Sequence, residues 1–152
     1  MTLTGRPSIL FVCRDNSGLS LMAEAIAIAA HSQVRAFSAA VAETAPVDIA
    51  AVECLHHARI PADGLSSKPV ELFGFSGAPR VDVVVAMVDE AHQGLGRLAW
   101  HQITRVERWT FDDVSRLRDV NQRRVSYRRL LPRLKAAVRA VVDRTAALPV
   151  AA

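Results

Sequence analysis

The stretch Ile9-Leu10-Phe11-Val12-Cys13-Arg14-Asp15-Asn16-Ser17-Gly18-Leu19-Ser20-Leu21-Met22-Ala23-Glu24-Ala25-Ile26 decides how this chain is read. Residues 8–12 are apolar and partly β-branched, which predicts a buried strand. Residues 20–31 are rich in Ala, Met, Ile and Glu and free of Gly and Pro, which predicts a helix. Cys13 therefore stands on a strand-to-helix turn of small and polar residues. Successive N–H groups in such a loop form a concave nest, and the following helix adds the positive end of its dipole. That environment holds an oxyanion such as phosphate and lowers the pKa of a cysteine within it. A thiolate there is placed to attack phosphorus, with an acid needed to protonate the leaving group. The competing reading of Cys13 is a packed strand-end cysteine.

Working outward, residues 34–38 predict a second strand, and Pro46 opens a helix over residues 47–58. Pro61-Ala62-Asp63-Gly64 is a turn, and residues 68–73 form a single helical turn. Residues 81–87 are apolar on both faces, as in a covered parallel strand. Asp89 caps a short helix through residue 98, residues 100–106 form the last strand, and residues 109–114 a loop. A final helix spans residues 119–146, kinked or interrupted at Pro132. Strands alternating with helices imply a parallel sheet covered on both faces. Ligands of such sheets bind outside the carboxyl ends of the strands, where Cys13 lies. The chain divides into a tail (1–7), one domain (8–146) and a second tail (147–152).

The 152 residues are 51% hydrophobic and lack low-complexity tracts, which excludes a disordered chain. No signal peptide is evident, and no run approaches the roughly 18 apolar residues that span a bilayer. The expected setting is cytoplasmic, where Cys13 and Cys54 stay unpaired. Cys54, His56 and His57 match no common metal spacing, so Cys54 reads as a core residue and no metal or other cofactor is expected. Residues 116–144 carry ten Lys/Arg against Asp119 and Asp143, a net of +8, whereas the remainder nets −4. The plain reading is an amphipathic helix with a solvated cationic face. The other is a docking surface for an acidic protein, nucleic acid or anionic membrane. With Tyr127 as its only aromatic, the segment argues against base stacking.

Residues 11–25 resemble the signature of the low-molecular-weight protein tyrosine phosphatases and the related thioredoxin-coupled arsenate reductases. Ser38-Ala39-Ala40 with Pro46-Val47-Asp48, then Ser66-Ser67-Lys68-Pro69-Val70, then residues 81–91 extend the resemblance across residues 8–145. It implies an α/β fold: a three-layer α/β/α domain with a four-stranded parallel sheet. It also implies Cys13 as nucleophile, a phosphate-binding loop built from Arg14, Asn16, Ser17, Gly18, Leu19 and Ser20, and a phosphorylated substrate. Asn16 would tie the loop together, and Ser20 would hydrogen-bond the thiolate. Asp113, in Trp109-Thr110-Phe111-Asp112-Asp113-Val114, matches the family's general acid. The residues alone equally allow Asp112-Asp113 to be a solvated cap.

Against the resemblance, several positions depart together. Leu19 stands where the family has an arginine that donates two parallel hydrogen bonds to the phosphoryl oxygens. Losing one preorganised donor costs roughly 100- to 1000-fold in rate, about 3–4 kcal/mol, and a bidentate cation at least that. Asp15 replaces a glycine whose role would be a positive φ and close approach of an anion. Arg14 either pairs with Asp15, bends over the ligand, or is an exposed rim residue. Asp112 and Val114 replace prolines. Val88 and Leu95 stand near the places of the resolving thiols of arsenate reduction, which argues against that chemistry.

Three functions follow as expectations. The first is a catalytically impaired phosphatase-like protein that retains binding of an anion or an acidic, phosphorylated partner. The second is a weak phosphomonoesterase using Cys13 and Asp113. The third is a thiol redox sensor read through Cys13.

Overall fold

The computed structural model describes residues 5–98 and 105–148. Four strands, β1 (Ser8–Cys13), β2 (Arg35–Ala40), β3 (Val83–Ala86) and β4 (Val106–Arg108), form one sheet in the order β2-β1-β3-β4. Every pairing is parallel, as expected. All residues of β1 and β3 are buried. Since successive side chains point to opposite faces, both faces of the sheet are covered and the fold is a three-layer α/β/α sandwich.

Helix α1 (Leu19–Ala30) packs along β1 and β2, and α2 (Ile49–His57) connects β2 towards β3. The short α3 (Asp89–Leu95) lies against β3 and β1, and α4 (Val120–Ala146) crosses α1 and α2. From β1 the chain turns first to β2 on one side and later to β3 on the other. The switch point therefore lies at the carboxyl end of β1, the place of Cys13.

Several element boundaries differ from expectation for local reasons. Pro46 does not open α2; the N-cap is Asp48, whose side chain accepts from the Ala50 N–H. Asp89 is the first residue of α3 and does not cap it, its carboxylate being taken by Arg108, and the helix ends at Leu95 before Gly96. The last strand is Val106–Arg108 and not 100–106; of that range, residues 100–104 lie outside the described residues. The charges on β4 hid it: Glu107 pairs with Arg144 and Arg108 with Asp89, as an edge strand permits. The single turn of 3₁₀ helix spans Val70–Gly74. Finally, α4 runs unbroken through Pro132 for 27 residues. Pro132 is exposed, so its lost hydrogen bond faces water, while Tyr127, Leu134, Val138, Val141 and Val142 hold the helix to the core.

Candidate functional site

The loop between β1 and α1 is closed around its own polar groups. Asn16, fully buried, has φ +54°, a left-handed conformation that asparagine tolerates. Its amide donates to Ser20 Oγ at 2.8 Å, its Oδ1 accepts from the Lys68 N–H at 3.0 Å, and its carbonyl accepts from Ser67 Oγ at 2.7 Å. Asn16 thus ties the loop to itself and to the segment before the 3₁₀ turn. The positive φ expected at Asp15 falls on Asn16, so Asp15 carries no backbone strain of that kind.

Asp15 is 6% exposed and turns into the loop. Its Oδ1 accepts from the Ser17 N–H at 3.1 Å and from Ser17 Oγ at 2.7 Å. Arg14 Nη2 reaches Asp15 Oδ2 at 3.2 Å. A backbone N–H of the loop is therefore already satisfied by an internal carboxylate. Leu19 contributes no polar group: its side chain is buried in the hydrophobic core.

Cys13 Sγ lies 3.9 Å from Met87 Sδ and is almost fully enclosed. The expected depression of its pKa does not occur. Burial pushes the thiol up to about 12; the carboxylates of Asp113 and Asp15 push the same way, and the hydrogen bonds to Ser20 oppose without prevailing. At neutral pH the group is a thiol and not a thiolate.

Around the mouth stands a cluster with Arg14 at its centre. Arg14 Nε lies 2.9 Å from Asp113 Oδ2 and 3.3 Å from Glu90 Oε2, and Arg14 Nη2 donates to Ser115 Oγ at 2.7 Å. Arg14 is thus neither an exposed rim residue nor a free cation. Burial disfavours its charge, but the hydrogen bond and charge of Asp113, with Asp15 and Glu90, outweigh this and raise its pKa. Asp113 caps the short 3₁₀ turn Val114–Arg116, accepting from the Ser115 N–H, and also lies 3.6 Å from Arg116 Nε. The cap reading and the placement beside Cys13 hold together for Asp113, whereas Asp112 is exposed. Arg116 Nη2 pairs with Glu90 Oε1 at 2.6 Å. Three carboxylates face two guanidinia, so the mouth disfavours a dianion.

Sequence reasoning placed Cys13, Arg14, Asn16, Ser17, Gly18, Leu19, Ser20 and Asp113 here, and the fold brings them together. It missed four. Glu90 and Ser115 complete the Arg14 cluster, and nothing in the sequence sets them apart from other polar residues. Tyr127 and Asp48 brace the loop from outside it. Tyr127 is buried, its hydroxyl donates to Asp48 Oδ2 at 3.3 Å, and burial followed by the charge of Asp48 raises its pKa strongly. The Asp48 N–H donates to the Ser17 carbonyl at 2.8 Å, and the Asp48 carboxylate pairs with Arg123 Nε at 2.7 Å. Gly18 makes the approach of Tyr127 possible: a Cβ there would lie 1.9 Å from the Tyr127 oxygen. The apolar register Tyr127, Leu134, Val138 could have aimed Tyr127 inwards, but not at this loop.

Comparison with solved structures shows the same architecture. A structure described as an arsenate reductase in the phosphate binding state superposes with a TM-score of 0.71 at 22% identity, covering 91% of this chain and 98% of that one. The arsenate reductase of Archaeoglobus fulgidus DSM 4304 gives 0.63 at 25% identity, covering 89% and 98%. YfkJ from Bacillus subtilis gives 0.61 at 22%, covering 90% and 97%. Comparison with curated proteins returns no match. The family model for low molecular weight phosphotyrosine protein phosphatase matches residues 8–145, the whole of the sheet and its helices. This chain belongs to the low molecular weight phosphotyrosine protein phosphatase family.

Proposed function

We propose that this protein is a catalytically impaired member of its family, whose Cys13 loop is held by its own Asp15 carboxylate and binds an external anion, or a phosphorylated or acidic partner, only by displacing it. The observation that carries this reading is the pair of hydrogen bonds from Ser17 N–H and Oγ to Asp15 Oδ1, with Arg14 on Oδ2. A phosphoryl group entering the loop must exchange all three. Leu19 offers no donor for it, and the protonated Cys13 no thiolate. The test is hydrolysis of an aryl phosphate by wild type and Cys13→Ser. Wild-type turnover at or near the background of Cys13→Ser is expected; robust turnover lost in Cys13→Ser sinks the proposal.

A second reading, a weak phosphomonoesterase, is favoured by one observation: Arg14 and Asp113 converge beside Cys13. In it, ionised Cys13 attacks phosphorus, Asp113 protonates the leaving oxygen, Arg14 neutralises the phosphoryl charge, and water hydrolyses the thiophosphate. Arg14 must first leave Asp15 and Asp113, which sets the rate low. The sensor reading is disfavoured by the burial and high pKa of Cys13. Arsenate reduction lacks its partner thiols, since Cys54 sits on α2, away from the loop.

A further inference from the structure

Four of the eight basic residues of α4 are already engaged. Arg123 pairs with Asp48, Arg124 with Glu53 and Arg144 with Glu107, while Arg133 lies 4.3 Å over the ring of Phe111. Arg118, Arg128, Arg129, Lys135 and Arg139 remain exposed, with no ion pair or side-chain hydrogen bond among the described residues. At about 100° per residue, Arg128, Lys135 and Arg139 fall within roughly 20° of one line along α4. That line borders a groove of about 310 Å³ between α2 and α4, lined by Cys54, His57, Ala58, Arg128 and Leu131. Its floor is apolar, and its rim carries Arg128 and His57.

We propose that this groove seats an apolar side chain of an acidic peptide segment whose carboxylates pair with Arg128, Lys135 and Arg139. Charge complementarity selects the occupant. The stripe runs past an apolar seat, and Glu53, the acidic residue on the α2 side, is hydrogen-bonded and ion-paired to Arg124 at 2.7 Å and feels Arg128 only as its weakest partner. A nucleic acid would use the charge but not the apolar floor, and Tyr127 is buried and unavailable for stacking. A membrane surface would need apolar side chains to insert, and Val125 is the exposed large one on α4 among the described residues. The proposal is independent of the catalytic reading, since it leaves the Cys13 loop untouched.

The test is fluorescence polarisation of the full chain with a hexaglutamate peptide carrying one central leucine and with its alanine counterpart. The leucine peptide should bind about tenfold more tightly, because only it fills the groove. Arg128→Glu/Lys135→Glu should weaken it by at least about tenfold, and Arg118→Glu/Arg129→Glu, an equal charge change on another line of the segment, by much less. Ala58→Leu, which fills the groove without changing charge, should abolish the preference for leucine while circular dichroism reports an intact fold. Equal affinity for the two peptides, or equal loss in the two charge reversals, overturns the proposal. Tighter binding of duplex DNA, or of phosphatidylglycerol vesicles, through the same Arg128–Lys135 line overturns it as well and reassigns the face.

Discussion

Replacing Leu19 with arginine alone should not make this protein an efficient phosphatase; replacing Leu19 and Asp15 together should. A bidentate guanidinium at position 19 would return about 3–4 kcal/mol of transition-state stabilisation. Asp15, however, accepts two hydrogen bonds from Ser17 and pairs with Arg14. Hydrogen bonds to a charged group are worth about 1.5–3 kcal/mol each, so displacing this carboxylate costs a comparable ~3–6 kcal/mol. The new guanidinium would also find Asp15 at hand as its partner. Leu19→Arg should therefore gain less than about tenfold in kcat/KM for an aryl phosphate. Asp15→Gly should gain phosphate affinity without turnover. Asp15→Gly/Leu19→Arg should exceed either by at least about 1000-fold, a strongly non-additive cycle. Cys13→Ser in the double background must abolish the gain. Thermal melts should accompany the assay, because Leu19 packs in the core and its loss costs stability. If Leu19→Arg alone matches the double variant, Asp15 is not the obstacle and the reasoning fails.

Three further outcomes are expected. Gly18→Ala should destabilise by about 1–3 kcal/mol, since its Cβ meets the Tyr127 hydroxyl at 1.9 Å; Tyr127→Phe should relieve only part of this, because the ring carbon beneath lies at 2.7 Å. Chemical denaturation of the four proteins of that cycle measures the coupling. Pro132→Ala should raise the melting temperature, because an interior proline costs about 3 kcal/mol in a helix that nonetheless runs straight through it; an unchanged melt would mean the neighbouring turns already compensate. For Cys13 the folded pKa is raised from 9.0 to about 12, so the folded state prefers the neutral thiol. Its contribution is fully present below pH 9 and lost as pH climbs to about 12. Cys13→Ser should lose less stability across that window than wild type, and iodoacetamide should modify native Cys13 slowly at neutral pH.

The sheet was legible wherever burial made strands apolar: β1 and β3 are all-buried runs, and residues 20–31 anticipated α1 closely. Legibility failed where charge pairing replaced burial. The edge strand β4 reads Val-Glu-Arg; pairing with β3 makes it a strand, and ion pairs to α3 and α4 take up its charges. Pro132 misled because a residue-level rule ignores the core contacts that fix the helix on either side. At the site, the one-dimensional signal located the loop, and the resemblance supplied Asp113 as the candidate acid. The protonation state of Cys13 was not legible. A nest and a helix N-terminus argue for a thiolate, and the argument is overturned by enclosure together with Asp15 and Asp113. Glu90, Ser115, Asp48 and Tyr127 approach from four separate segments, and no local pattern predicts such convergence.

The departures around Cys13 become one arrangement when hydrogen bonding is followed through the loop. The N–H groups that open a helix have no intrahelical acceptor. In a site built for phosphate the ligand can serve as that acceptor; the cap of α1 here is Gly18, which offers no side chain. Just ahead of that cap, Asp15 supplies an acceptor for the loop N–H of Ser17, which a glycine in its place could not. Its charge then requires a cation, which Arg14 supplies, and Arg14 in turn draws in Asp113 and Glu90. An arginine at position 19 would compete for the same carboxylate, whereas leucine adds to the core. With Cys13 enclosed, and the nearby charges weighted towards carboxylates, the neutral thiol is the form that the loop accommodates. Each substitution thus removes the reason for the next residue of an active loop. On the proposed reading, efficient turnover is therefore expected only when Leu19 and Asp15 are changed as a pair.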